Sequence, residues 1–162
     1  MSERDVIVVI ADVSGSMSAR DGGSREGKTR FMLLREALDT IPAGVRIIQF
    51  SDDVKEVTKE GLRLESGGTA LHAAIRAAAK YSPVRSVIIS DGEPDSEVLA
   101  REAVNDITGI VDVVYCGDPK NLRASEFLQS LAKAGAGGFY KTGDEIDVRK
   151  QLPAVIAGLL NA

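Results

Sequence analysis

The chain has 162 residues, 44% of them hydrophobic and 27% charged, which is ordinary globular composition and enough chain for one domain with a real core. A net charge of -4 argues against a general nucleic-acid or anionic-membrane surface. The single cysteine, Cys116, rules out an internal disulfide and points to a cytoplasmic protein, and the first apolar run is too short for a signal peptide or a membrane span. No repeat or linker interrupts the chain, so residues 1–162 read as a single domain.

The run Val6-Ile7-Val8-Val9-Ile10-Ala11 is β-branched and unbroken, the pattern of a strand buried on both faces of a parallel sheet. It leads into Asp12-Val13-Ser14-Gly15-Ser16. Alternate spacing lets three oxygen-bearing side chains converge from one loop, with Gly15 expected to permit the tight turn. Ser18 to Lys28 is polar and Gly-bearing and reads as an exposed loop. Thr29 can cap a helix to about Thr40, with Phe31, Leu34, Leu38 and Ile41 on one face, stopped at Pro42-Ala43-Gly44. Val45–Phe50 is a second strand, and Val54–Thr58 a short edge strand protected by Lys55 and Lys59. Ser66-Gly67-Gly68-Thr69 opens a helix over Ala70–Tyr81.

Ser86–Ser90 is another apolar strand and runs into Asp91-Gly92. A helix over Ser96–Asp106, a strand over Val111–Cys116, a helix over Ser125–Ala134 and a strand over Gly138–Lys141 follow. The chain closes with a helix from about Asp144 to Leu160, kinked at Pro153. Alternating strands and helices specify a doubly wound α/β fold: a mostly parallel sheet of about six strands, one short antiparallel edge strand, and helices on both faces. Ligands of such sheets bind beyond the carboxyl ends of the strands. Asp12, Ser14, Ser16, Thr69 and Asp91 can all lie on that edge, and their hard oxygens suit magnesium or manganese.

This arrangement resembles the von Willebrand factor type A domain with its metal-ion-dependent adhesion site, written Asp-x-Ser-x-Ser, then Thr, then Asp. Phe50-Ser51-Asp52-Asp53-Val54, Gly67-Gly68-Thr69-Ala70-Leu71, Ser90-Asp91-Gly92-Glu93-Pro94 and Leu131-Ala132-Lys133-Ala134-Gly135 also resemble family segments, so the likeness spans essentially the whole chain. The resemblance implies that Asp12, Ser14, Ser16, Thr69 and Asp91 hold one Mg²⁺ or Mn²⁺, with the serines bound directly and Thr69 and Asp91 directly or through water. It implies adhesion rather than bond cleavage: an Asp or Glu of a partner protein completes the ion. The partner class it suggests for an intracellular member is an AAA+ ATPase or a larger assembly. Without the ion, Asp12 and Asp91 are expected to repel each other. The Ser18–Lys28 loop is long and charged for its position, and its place beside the ion suits gating or partner choice.

Two other readings stand beside this one. Gly22 to Thr29 spells Gly-x-x-x-x-Gly-Lys-Thr, a phosphate-binding loop, although ten residues separate it from the strand that should feed it. Asp12 after the first strand also matches an aspartate-nucleophile phosphotransferase, but Ser14 stands where such enzymes usually place an acid–base carboxylate. The other polar features have plainer readings. His72 reads as a packed or capping residue, Cys116 as a small core residue, and Glu93, Asp95 and Glu97 as a solvated helix start. Val155–Leu160 reads as the sheet-covering face of the last helix.

Overall fold

The computed structural model describes residues 5–19, 29–39, 41–65, 67–92, 94–118 and 120–141. The expected final helix, the phosphate-loop glycines and Glu93 lie outside the described residues. Among the described residues ten helices and strands follow one another: β1 (Ile7–Asp12), α1 (Arg30–Leu38), β2 (Arg46–Phe50), β3 (Val54–Val57), α2 (Leu71–Ala79), β4 (Arg85–Ser90), α3 (Glu97–Asp106), β5 (Ile110–Tyr115), α4 (Leu122–Ala134) and β6 (Ala136–Lys141). They form one sheet of order β3-β2-β1-β4-β5-β6. All neighbours are parallel except β2 and β3, whose antiparallel register pairs Phe50 with Val54. The sheet is therefore the mostly parallel, doubly wound one expected from the sequence.

Side-chain alternation divides the core in two. Val8 and Ile10 of β1, with Ile48, Phe50, Ile88 and Val113, face α2, α3 and α4, which contribute Leu71, Ile75, Val104, Phe127 and Leu128. Val9 and Ala11, with Ile47, Val87, Ile89 and Val114, face α1 through Leu34 and Leu38. Covering both faces accounts for the unbroken apolar runs, and every residue of β1 is buried. The edge strand β3, by contrast, exposes Lys55 and Glu56, as a protected edge should.

Several boundaries differ from the sequence reading. β1 takes in Asp12, because Asp12 keeps the parallel register with Phe50. α4 begins at Leu122 rather than Ser125, since the Asn121 side chain accepts a hydrogen bond from the Ala124 amide at 3.1 Å and caps the helix. β6 begins at Ala136 rather than Gly138, across an irregularity between Val111 and Val113 of β5. Its Gly137-Gly138 pair weakens any strand signal in the sequence, yet a Cβ on Gly137 would overlap the Val111 carbonyl.

The topology fixes where a ligand can sit. From β1 the chain crosses to β2 on one side, while β4 occupies the other side of β1. Connections leaving the two flanks pass over opposite faces, so a crevice opens between the carboxyl ends of β1 and β4. Asp12 ends β1 and Asp91 follows Ser90 at the end of β4.

Candidate metal centre

Asp12 is fully buried at the mouth of this crevice. The residues after it fold back on its carboxylate: the Ser14 amide and hydroxyl donate to Asp12 Oδ1 at 2.9 and 2.6 Å. The Ser16 hydroxyl lies 3.1 Å from that of Ser14. A 3₁₀ turn over Gly15–Ser18 sets this spacing, closed by the Met17 amide on the Ser14 carbonyl at 3.0 Å. Met17 is fully buried and packs in the core on the α1 side, which anchors the turn. Gly15, expected to permit a tight turn, opens this 3₁₀ turn and does so without a positive φ. Its amide donates to the Gly67 carbonyl at 3.4 Å, joining the first loop to the Thr69 loop.

The Thr69 loop is held by two carboxylates. Asp52 Oδ1 accepts from the Gly68 amide at 2.8 Å. Asp95 Oδ1 accepts from the Thr69 amide at 2.9 Å, and the Asp95 amide donates to the Thr69 carbonyl at the same distance. A Cβ on Gly68 would lie 2.6 Å from Asp52 Oδ1 and 2.9 Å from Asp95 Oδ1, so only glycine lets both carboxylates reach this turn. Thr69 is thereby held nearly buried. Asp95 is exposed at the entry to α3, as expected of a solvated helix start, and it also positions Thr69; Glu97 begins α3 and lies near Arg101 and Arg123.

Asp91 is buried, and its two oxygens differ. Oδ2 meets Arg30 Nη1 at 3.3 Å, an ion pair whose side chains are 12% and 0% exposed. Oδ1 is buried with no hydrogen-bond partner. Ser90 links the two strands: its hydroxyl donates to Asp12 Oδ2 at 2.8 Å and accepts from the Gly92 amide at 3.1 Å. Burial, and after it the negative charge of Asp91, pushes the Asp12 carboxyl up to about 6, against the lowering effect of its hydrogen bonds. The repulsion expected from the sequence is present, but Arg30, which the sequence reading did not use, offsets it at Asp91.

The predicted residues thus gather at one sheet edge. Ser90, Arg30, Asp95, Asp52 and Met17 complete the arrangement and were missed. Ser90 had a signal in the sequence, a hydroxyl closing an apolar strand; Arg30 had another, a cation opening a helix against its dipole. His72 lies in the first turn of α2 with a buried Nδ1 that has no hydrogen-bond partner, and Cys116 is a buried core residue 3.8 Å from the Met17 sulfur. The donor chemistry fits a hard cation. Among the described residues no three His, Cys, Asp or Glu side chains group together, so the available set is two carboxylates with neighbouring hydroxyls. A buried carboxylate oxygen without a donor is costly unless something else satisfies it.

No family model matches the sequence, and no curated protein is significantly similar to it. Solved structures do share the fold. BatB from Bacteroides thetaiotaomicron is 20% identical with a TM-score of 0.68, the match covering 97% of this chain and all of that one. A von Willebrand factor type A protein from Catenulispora acidiphila is 19% identical with a TM-score of 0.68, over 94% of this chain and 42% of that one. Manganese-loaded TRAP from Plasmodium vivax is 14% identical with a TM-score of 0.63, over 94% of this chain and 72% of that one. At such identities the likeness establishes the fold alone.

Proposed function

We propose that this chain, a domain of the von Willebrand factor type A fold, is a metal-dependent protein-binding module and not an enzyme. Asp12, Ser14, Ser16, Thr69 and Asp91 would hold one Mg²⁺ or Mn²⁺, and an Asp or Glu of a partner protein would complete it. The ion, when bound, supplies a Lewis-acidic position that takes a carboxylate. The chain's own residues do the rest: Ser90 and Ser14 orient the Asp12 carboxylate, and Asp95 holds the Thr69 loop. The observation that carries the reading is the unpartnered Asp91 Oδ1, buried close enough to a second buried carboxylate to raise its pKa. The manganese-loaded state of one fold neighbour is in keeping with it.

No observation favours the alternatives. Residues 22–28 of the phosphate-binding loop lie outside the described residues, and a 3₁₀ turn, not a glycine loop, follows β1. Both oxygens of Asp12 accept hydrogen bonds, and Ser14 spends its hydroxyl on Asp12 rather than on acid–base work.

The test is thermal unfolding in a manganese titration, on wild type and Asp12→Ala. An ion that binds only the folded state adds about 2.7 kcal/mol at a hundred times its dissociation constant. For a domain of this size that is a rise of roughly 5–10 °C in melting temperature. The rise is expected in wild type and not in Asp12→Ala. An equal rise in both, or none in either, would count against the site.

A further inference from the structure

We infer that Arg30 is a built-in counter-cation of this site, which holds Asp91 in the metal-free protein and couples cation binding to the arrival of an acid. The inference rests on the proposed metal site and concerns its regulation. Arg30 opens α1, the end of a helix where a positive charge is disfavoured, and the first turn of α1 carries no acidic residue to compensate. The guanidinium reaches into the site: Nη1 is 3.3 Å from Asp91 Oδ2 and 3.5 Å from the Ser16 carbonyl, so it spans both acidic loops. Its backbone is fixed as well, with the Arg30 amide on the Ala19 carbonyl at 3.0 Å just beyond the 3₁₀ turn. The pair is largely shielded from solvent, so salt screens it weakly.

Charge counting gives the consequence. An arginine cannot shed its proton to make way for a second cation. The buried Asp12 and Asp91 and the largely buried Arg30 together carry a single negative charge in the metal-free protein. Adding a divalent ion turns that into a single positive charge in a buried place, which opposes loading. One carboxylate from outside restores neutrality. Arg30 therefore weakens the cation alone and favours the cation together with an acid. With glutamine in its place the loaded site is already neutral, and the coupling is lost.

The experiment measures Mn²⁺ affinity by calorimetric titration, and melting temperature in chelator, for wild type, Arg30→Gln and Arg30→Lys. The titrations are repeated with acetate as a minimal acid against chloride at equal ionic strength. Arg30→Gln should bind Mn²⁺ roughly tenfold tighter than wild type, while melting lower in chelator. Arg30→Lys keeps the charge and should stay near wild type in both. Acetate should tighten Mn²⁺ binding more in wild type than in Arg30→Gln. If wild type binds Mn²⁺ and Arg30→Gln binds it equally or more weakly, Arg30 is only a strut and the inference falls while the metal site stands. Acetate acting equally on both overturns the coupling. Absence of Mn²⁺ binding in all three chains overturns the metal site and this inference with it.

Discussion

Asp12 is a charge-bearing group held in a buried place. Its carboxyl is raised from 3.8 to about 6 by burial first and the Asp91 charge second. The folded protein thus binds a proton that the unfolded chain releases. Its stabilising effect is complete below pH 3.8 and is lost as pH rises through about 6, a swing on the order of 3 kcal/mol. In chelator, the difference in stability between wild type and Asp12→Asn should shift against wild type between pH 4.5 and 7. Denaturant titrations across that range check it, and a constant difference would mean that Asp12 is ionised throughout. Protons compete with the cation for the same carboxylate, so Mn²⁺ affinity should weaken below about pH 6.

At the scale of elements, the loops are positioned by groups that would not touch the ion. Asp95, at the entry to α3, holds both the amide and the carbonyl of Thr69. Asp95→Ala should weaken Mn²⁺ binding about tenfold, the usual cost of losing an outer partner of a metal ligand. Because Asp95 is exposed, stability should change little, and calorimetry beside a thermal melt separates the two effects. The Asn121 cap is the opposite case. Asn121→Ala removes the acceptor for the Ala124 amide at the start of α4 and should cost about 1 kcal/mol. The melting temperature should fall by roughly 2–4 °C, with Mn²⁺ affinity unchanged. A loss of affinity in that variant would mean that α4 transmits strain to Asp91 through Gly92, whose added Cβ would sit 2.9 Å from Ala124.

Across the whole molecule, the site exists because the strand order turns back at β1. Asp12 and Asp91 are far apart in sequence and meet because β1 and β4 are parallel neighbours. The Ser90–Asp12 bond then ties the two strands together at their carboxyl ends. Such a crevice forms on any doubly wound sheet; the short polar side chains at its mouth give this one a hard-oxygen character.

The sequence by itself determined the order and type of nearly every described element, because apolar periodicity and turn residues are local signals. β1 was legible from its β-branched run, and the sharing of one sheet edge by Asp12, Ser14, Ser16, Thr69 and Asp91 from the strand ends and the helix-opening turn that carry them. Boundaries moved where a side chain acted at a distance along the chain, as with the Asn121 cap, or where glycines masked a strand, as at Gly137-Gly138. The tertiary structure alone decided the partnerships. Arg30 meets Asp91, Ser90 meets Asp12, and Asp52 and Asp95 hold the Thr69 loop through hydrogen bonds spanning 16 to 78 residues of chain. No periodicity encodes those pairings, because they depend on which strand ends the sheet order brings together. The charge balance of the site belongs to that order as well.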